Sequence, residues 1–99
     1  MRLNKYFSGL RKWGDVESFQ KDDEVEIHFT CNKGTIEIYC YGNNIGIAVA
    51  MPKRCDYLDS DFFSERQKEQ IADVLHYGYS VEYKCAAIEK IIINTMRDR

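Results

Sequence analysis

Between Glu24 and Met51 apolar and polar residues alternate one for one, the period of a strand with one buried face. In a first run Val25, Ile27, Phe29 and Cys31 interleave with Glu24, Glu26, His28 and Thr30. In a second, Ile36, Ile38 and Cys40 interleave with Thr35, Glu37, Tyr39 and Tyr41, and in a third Ile45, Ile47, Val49 and Met51 interleave with Gly46, Ala48 and Ala50. The first run carries its apolar set on odd numbers and the second on even ones, so the sets share a face only across a connection of even length. A two-residue turn at Lys33-Gly34 meets that condition and predicts Phe29 opposite Ile38, Ile27 opposite Cys40 and His28 opposite Tyr39. Gly42-Asn43 closes the second hairpin in the same way, with glycine first as a primed turn prefers. The pattern predicts a three-stranded antiparallel meander.

The polar face of this meander sets Gly46, Ala48 and Ala50 beside Glu37, Tyr39 and Tyr41. Small residues leave a shallow floor there, onto which either a helix of this chain or a partner packs.

Ahead of the meander, Leu3, Tyr6, Phe7, Leu10 and Trp13 recur at helical spacing, with Arg2, Lys5, Gly9 and Lys12 on the other side. This predicts an amphipathic helix that ends near Gly14 and covers the sheet. Gly9 weakens it by about 1 kcal/mol relative to alanine, so packing must help hold it. Residues 14 to 23 read as a polar connector anchored by Val16 and Phe19.

After the meander, Pro52 stops the third strand and Lys53 to Asp61 form a surface loop carrying Asp56, Tyr57, Asp59 and Asp61. A helix follows, capped by Asp61 or Ser64. Ser64 with Gln67 fits a capping box, and Glu65 complements the helix dipole. Phe63, Ile71, Val74 and Leu75 form its apolar side, whereas residues 65 to 70 are all polar and are expected in solvent or in an interface. Gly78 is placed to end this helix. Tyr79, Val81, Tyr83 and Cys85 then alternate as a fourth strand would. Ser80 is equally a good N-cap for a helix from about Ser80 to Met96, with Val81, Cys85, Ile88, Ile92 and Met96 on one face. The helix fits better, because one starting at Ala86 would have Cys85 as a poor cap. Arg97, Asp98 and Arg99 read as a frayed tail. The expected architecture is a single α+β domain over residues 1–99: an N-terminal helix, a three-stranded antiparallel meander and two C-terminal helices, with a fourth strand before the last helix as the alternative.

Composition narrows the function classes. Of 99 residues, 44% are hydrophobic and 30% charged, with one proline, which fits one modest core rather than disorder. No apolar run is long enough to span a bilayer and the N-terminus lacks a signal-peptide core, so a soluble, cytoplasmic protein is expected. Cys31 and Cys40 fall about 13 Å apart along the strands in the register above, too far to bridge, and no Cys-x-x-Cys is present. Buried thiols are expected, with no metal and no cofactor. The chain has no phosphate loop, nucleophile elbow or paired-histidine metal motif. His28 lies on the tyrosine-lined face, His76 suits a helix C-terminus, and Asp59 with Asp61 is a carboxylate pair in an acidic loop. None of these is specific enough to indicate an enzyme.

Charge is polarised although the net is only −2. Residues 1 to 13 carry Arg2, Lys5, Arg11 and Lys12 and no acid, whereas residues 14 to 30 carry Asp15, Glu17, Asp22, Asp23, Glu24 and Glu26 against Lys21. Such a dipole steers association with a charged partner.

The predicted order of helix, three antiparallel strands and helix over residues 1 to 77 resembles the double-stranded-RNA-binding domain, which would place a nucleic-acid face on Arg2, Lys5 and Lys12. That family holds phosphates with a lysine-rich cluster at the start of its last helix. Here the segment reads Ser64-Glu65-Arg66-Gln67-Lys68-Glu69, and the pI is near 5.6. The order helix, meander and two helices, with the acidic runs Asp22-Asp23-Glu24 and Asp56 to Asp61, is also similar to phage-encoded anti-CRISPR inhibitors. That likeness is one of size, element order and charge. It implies a non-enzymatic protein whose partner is a Cas effector or a related nucleic-acid-processing complex. It also implies that Asp22, Asp23, Glu24, Asp56, Tyr57, Asp59, Asp61 and Glu65 meet basic residues that otherwise hold nucleic acid, with Tyr57 as the anchor. A structural protein that dimerises through the outer sheet face is the remaining expectation.

Overall fold

The structure, a computed structural model, describes residues 1–22, 24–31, 34–42, 44–50, 62–77 and 80–97. Its sheet has four strands in the order of the chain: β1 (Asp15–Lys21), β2 (Glu24–Cys31), β3 (Gly34–Tyr41) and β4 (Asn44–Ala50), each antiparallel to the next. Helices α1 (Glu65–His76) and α2 (Val81–Arg97) follow. The class is α+β as expected, but the element order is corrected at two points. No N-terminal α-helix forms, and the sheet gains its fourth strand from residues read as a connector rather than from residues 79–85. The likenesses to the double-stranded-RNA-binding domain and to the anti-CRISPR inhibitors both included that first helix, and both lose it with this correction.

β1 escapes a hydrophobic-pattern reading because its inward positions are mostly polar. Val16, Ser18 and Gln20 face the core side, opposite Phe29, Ile27 and Val25, while Phe19 faces out. Val16 and Phe19, three residues apart, therefore lie on opposite faces of the strand rather than forming one anchor. Ser18 is only 1% exposed, and burying its hydroxyl is tolerated because Asn4 Oδ1 accepts both the Ser18 N–H at 2.8 Å and the Ser18 Oγ–H at 3.1 Å.

The same neighbourhood explains why the N-terminus is not an α-helix. Residues 1–3 run antiparallel beside β1. Arg2 bridges to Phe19, the Leu3 N–H donates to Ser18 O at 2.9 Å, and the Gln20 N–H donates to Met1 O at 2.7 Å. Leu3 is thus tied to the sheet edge, and only two short 3₁₀ turns follow, Asn4–Phe7 and Leu10–Lys12. Glu89 of α2 enters between them. Its Oε2 accepts the Leu10 N–H at 2.9 Å, replacing the carbonyl an α-helix would supply, and its carboxylate lies so close to Gly9 that a Cβ there would meet Oε1 at 3.0 Å. Leu3, Phe7 and Leu10 are buried as the spacing predicts, but Trp13 is 41% exposed.

The second hairpin has the expected register, with Tyr41 opposite Asn44 and Gly42 in the left-handed region at φ 61°. The first does not. Gly34 belongs to β3, paired with Cys31, so Phe29 faces Ile36, Ile27 faces Ile38 and His28 faces Glu37. This register differs from the expected one by two residues. Alternation cannot separate the two, because a shift of two leaves every side chain on the same face. Cys31 and Cys40 stand at opposite ends of the β2–β3 ladder, and Cys40 Sγ contacts Gly42 O at 3.3 Å.

One buried cluster joins the inner face of the sheet, including Ile27, Phe29, Ile36, Ile38 and Val49, to Phe7 and Leu10, to Phe63, Ile71 and Leu75, and to Ile88, Ile92 and Met96. Each fully buried large apolar side chain contributes about 1.5–3 kcal/mol. The capping box is present: the Gln67 N–H donates to Ser64 Oγ at 3.1 Å and the Ser64 N–H donates to Gln67 Oε1 at 2.9 Å. The polar start of α1 leaves Glu65, Arg66, Glu69 and Gln70 exposed. α2 is capped by Ser80, whose Oγ accepts the Tyr83 N–H at 3.2 Å, so the helical reading of residues 81–85 holds. α2 continues through Arg97, which is helix rather than tail. Met51, Pro52, the 53–61 loop with Cys55, Gly78, Tyr79, Asp98 and Asn43 lie outside the described residues.

Two substitutions test this account by urea denaturation. Asn4→Ala leaves the buried Ser18 donors unmet and is expected to lower stability by about 1–3 kcal/mol. Ser64→Ala removes the α1 cap and is expected to cost about 1 kcal/mol. Both should move the midpoint and leave the denaturant slope unchanged.

Candidate functional site

Burying the inner face of a four-stranded antiparallel sheet fixes what the other face carries. β1 presents Asp15, Glu17, Phe19 and Lys21, and β2 presents Glu24, Glu26, His28 and Thr30. β3 presents Thr35, Glu37, Tyr39 and Tyr41, and β4 presents Asn44, Gly46 and Ala48. In cross-strand rows these read Lys21–Glu24–Tyr41–Asn44, Phe19–Glu26–Tyr39–Gly46 and Glu17–His28–Glu37–Ala48. Among the described residues no helix covers this face. Phe19, Tyr39 and Tyr41 remain 43%, 36% and 39% exposed. A helix of this chain, one of the two expected occupants of the small-residue floor, lies instead on the other side of the sheet.

The centre of the face is held in place by its own contacts. Tyr39 lies over Gly46, so close that a Cβ on Gly46 would overlap the ring, and only a glycine leaves room for it. The Tyr39 and Tyr41 rings stack with centroids 5.5 Å apart and planes 28° from parallel. The Tyr41 hydroxyl donates a hydrogen bond to Glu26 Oε1. That bond, with lesser contributions from desolvation and from the charges of Glu26 and Glu24, raises the Tyr41 phenol from 10.0 to about 12. Beside this pair, His28 Nδ1 is 3.5 Å from Glu37 Oε1, a half-exposed contact of small energetic weight. Among the described residues, Asp15, Glu17, Glu24, Glu26 and Glu37 thus share one face with a single lysine, Lys21.

The residues expected from the sequence to bind a partner are distributed differently. Asp22 and Glu24 come together at the β1–β2 turn, both exposed, with Asp22 in the left-handed region at φ 55° and Glu24 opposite Tyr41. Glu65 is the first residue of α1, in the helical layer, where it pairs with Lys68 at 3.2 Å. Asp23, Asp56, Tyr57, Asp59 and Asp61 lie outside the described residues. The structure therefore joins Glu24 to a set that the expectation left out, namely Glu17, Phe19, Glu26, Glu37, Tyr39 and Tyr41. Parity within the meander already placed five of these seven residues, Glu24, Glu26, Glu37, Tyr39 and Tyr41, on one face. Only the β1 members needed the missed strand.

Other groups offer little chemistry. Cys85 is buried, and burial, with the nearby Glu89 charge, pushes its thiol up to about 11. A recess lined by Leu3, Val25, Ile27, Leu75 and Ile88 has about 10 Å³ of free space, room for one water. Among the described residues no cluster of three metal-binding side chains exists, and no helix is long and apolar enough to cross a membrane. No known protein family, curated protein or solved structure matches this chain.

Titration checks the local electrostatics. Tyr41 is expected to ionise near pH 12 and, in Glu26→Gln, to fall back toward 10, as read from ring resonances in NMR. Because its folded value lies above the unfolded one, Tyr41 supports folding fully below pH 10 and loses that contribution as pH rises from 10 to about 12. Cys85 is expected to resist iodoacetamide at pH 8 in the native protein and to react once the chain is unfolded in urea, as read by mass spectrometry.

Proposed function

We propose that this protein is a non-enzymatic, protein-binding inhibitor of the anti-CRISPR type, which blocks a Cas effector or a related nucleic-acid-processing complex through an acidic surface. The observation that carries the reading is the open outer face of the sheet, where Asp15, Glu17, Glu24, Glu26 and Glu37 surround exposed aromatic rings. On a sheet, such carboxylates are spaced about 5 Å across strands and about 7 Å along them. A rigid lattice of negative charge with apolar anchors suits a protein surface built to hold a polyanion. Asp22 and Glu24 extend that charge to the β1–β2 turn. Direct nucleic-acid binding on this face is opposed by the same carboxylates, and so is dimerisation face to face.

The test is a pull-down from bacterial lysate with the immobilised protein, with and without nuclease treatment. A basic, nucleic-acid-processing protein is expected to be retained after nuclease treatment and lost when Glu24, Glu26 and Glu37 are replaced together by lysine. If every capture requires intact nucleic acid, or survives that charge reversal, the reading fails.

A further inference from the structure

The outer face has a centre, and its chemistry narrows what docks there. Tyr39 is backed by Gly46 on β4 and stacked on Tyr41, so this aromatic platform is ordered before any partner arrives. Glu26 lies opposite Tyr39 and is oriented by the Tyr41 hydroxyl through one of its two oxygens. Glu24 flanks Tyr41 across the strands, and Glu37 precedes Tyr39 by two residues on the same face. An ordered π-surface ringed by carboxylates attracts a cation. A planar guanidinium satisfies both parts at once, stacking on the ring while donating paired N–H groups to a carboxylate, whereas an ammonium meets them only as a point charge.

From this arrangement we infer that the Tyr39–Tyr41 platform with Glu24, Glu26 and Glu37 is a binding site for an arginine side chain carried on a basic segment of a partner protein. This rests on the proposed function and names the group that the acidic face recognises. A second copy of the chain is a poor occupant, since it would set carboxylates against carboxylates, and a polyanion or an anionic membrane is repelled for the same reason. The face is also too open to enclose a small neutral ligand.

The probe is a fluorescent peptide of alternating arginine and serine, about eight residues long to match β2, compared with its lysine counterpart and read by anisotropy and by amide resonance shifts. Expected are shifts centred on Glu24, Glu26, Tyr39 and Tyr41, and at least about fivefold weaker binding of the lysine peptide. Glu26→Gln and Tyr39→Ala should each weaken the arginine peptide about tenfold, and Gly46→Ala should weaken it by displacing the Tyr39 ring. Thermal melts identify any variant that loses its fold, and Glu26→Gln, which changes no volume, carries the decision if one does. Equal affinity for the two peptides, shifts centred elsewhere, or unchanged binding by Glu26→Gln overturns the site. The pull-down separates the two ideas. A protein retained by the unmodified chain, lost on triple charge reversal and still held by Glu26→Gln overturns the arginine site while the inhibitor reading survives. If no protein is captured but the peptide binds as expected, the inhibitor reading falls and the arginine site stands.

Discussion

Three antiparallel ladders share one parity, and the rest of the molecule depends on it. Each residue of β1 to β4 is committed to one face by its own position and by its cross-strand partners. Burying Ile27 beneath the helices forces Glu26 and His28 outward. Burying Ile38 does the same to Glu37 and Tyr39. The apolar core and the charged face are therefore one decision rather than two, and no register that keeps the core intact could hide the carboxylates. This is how a chain with a net charge of only −2 gathers Asp15, Glu17, Glu24, Glu26 and Glu37 on one face, beside Lys21 and His28.

The first strand shows how the sheet extends without a strong hydrophobic signal. Ser18 and Gln20 face inward, where an isolated strand would gain little from burial. Asn4 Oδ1 accepts the Ser18 hydroxyl, the Gln20 amide donates to Asp22 O, and residues 1–3 pair with the strand's outer backbone edge. That arrangement consumes the start of the expected helix, and Glu89 occupies the break between its two remaining turns. Covering the β1 edge also removes a row of backbone donors and acceptors that could pair with another chain.

Much of this was legible in the sequence where burial is one-sided. The alternation at residues 24–50 gave β2 to β4 their faces, Ser64 with Gln67 marked the start of α1, and Ser80 marked the start of α2. The outer face was legible in part, since Glu24, Glu26, His28, Glu37, Tyr39 and Tyr41 follow from parity alone. What was hidden depends on contacts distant in sequence. Ser18 is acceptable inside only because Asn4 is there, and Leu10 leaves α-helical bonding only because a carboxylate seventy-nine residues on takes its N–H. The two-residue register difference in the first hairpin was hidden for another reason: both registers satisfy the pattern equally.

Gln67 joins events that the linear order of the chain keeps apart. Its backbone N–H and Oε1 close the cap of α1, while its Nε2 donates to Thr95 Oγ1 at 2.9 Å near the end of α2, and that hydroxyl in turn reaches Ile91 O at 2.7 Å. Thr95 is buried, and releasing Gln67 leaves its hydroxyl with the Ile91 carbonyl as its remaining partner. Opening the first turn of α1 therefore also breaks a hydrogen bond to the last turn of α2. One side chain thereby ties the start of the first helix to the end of the second, across the layer that backs the sheet.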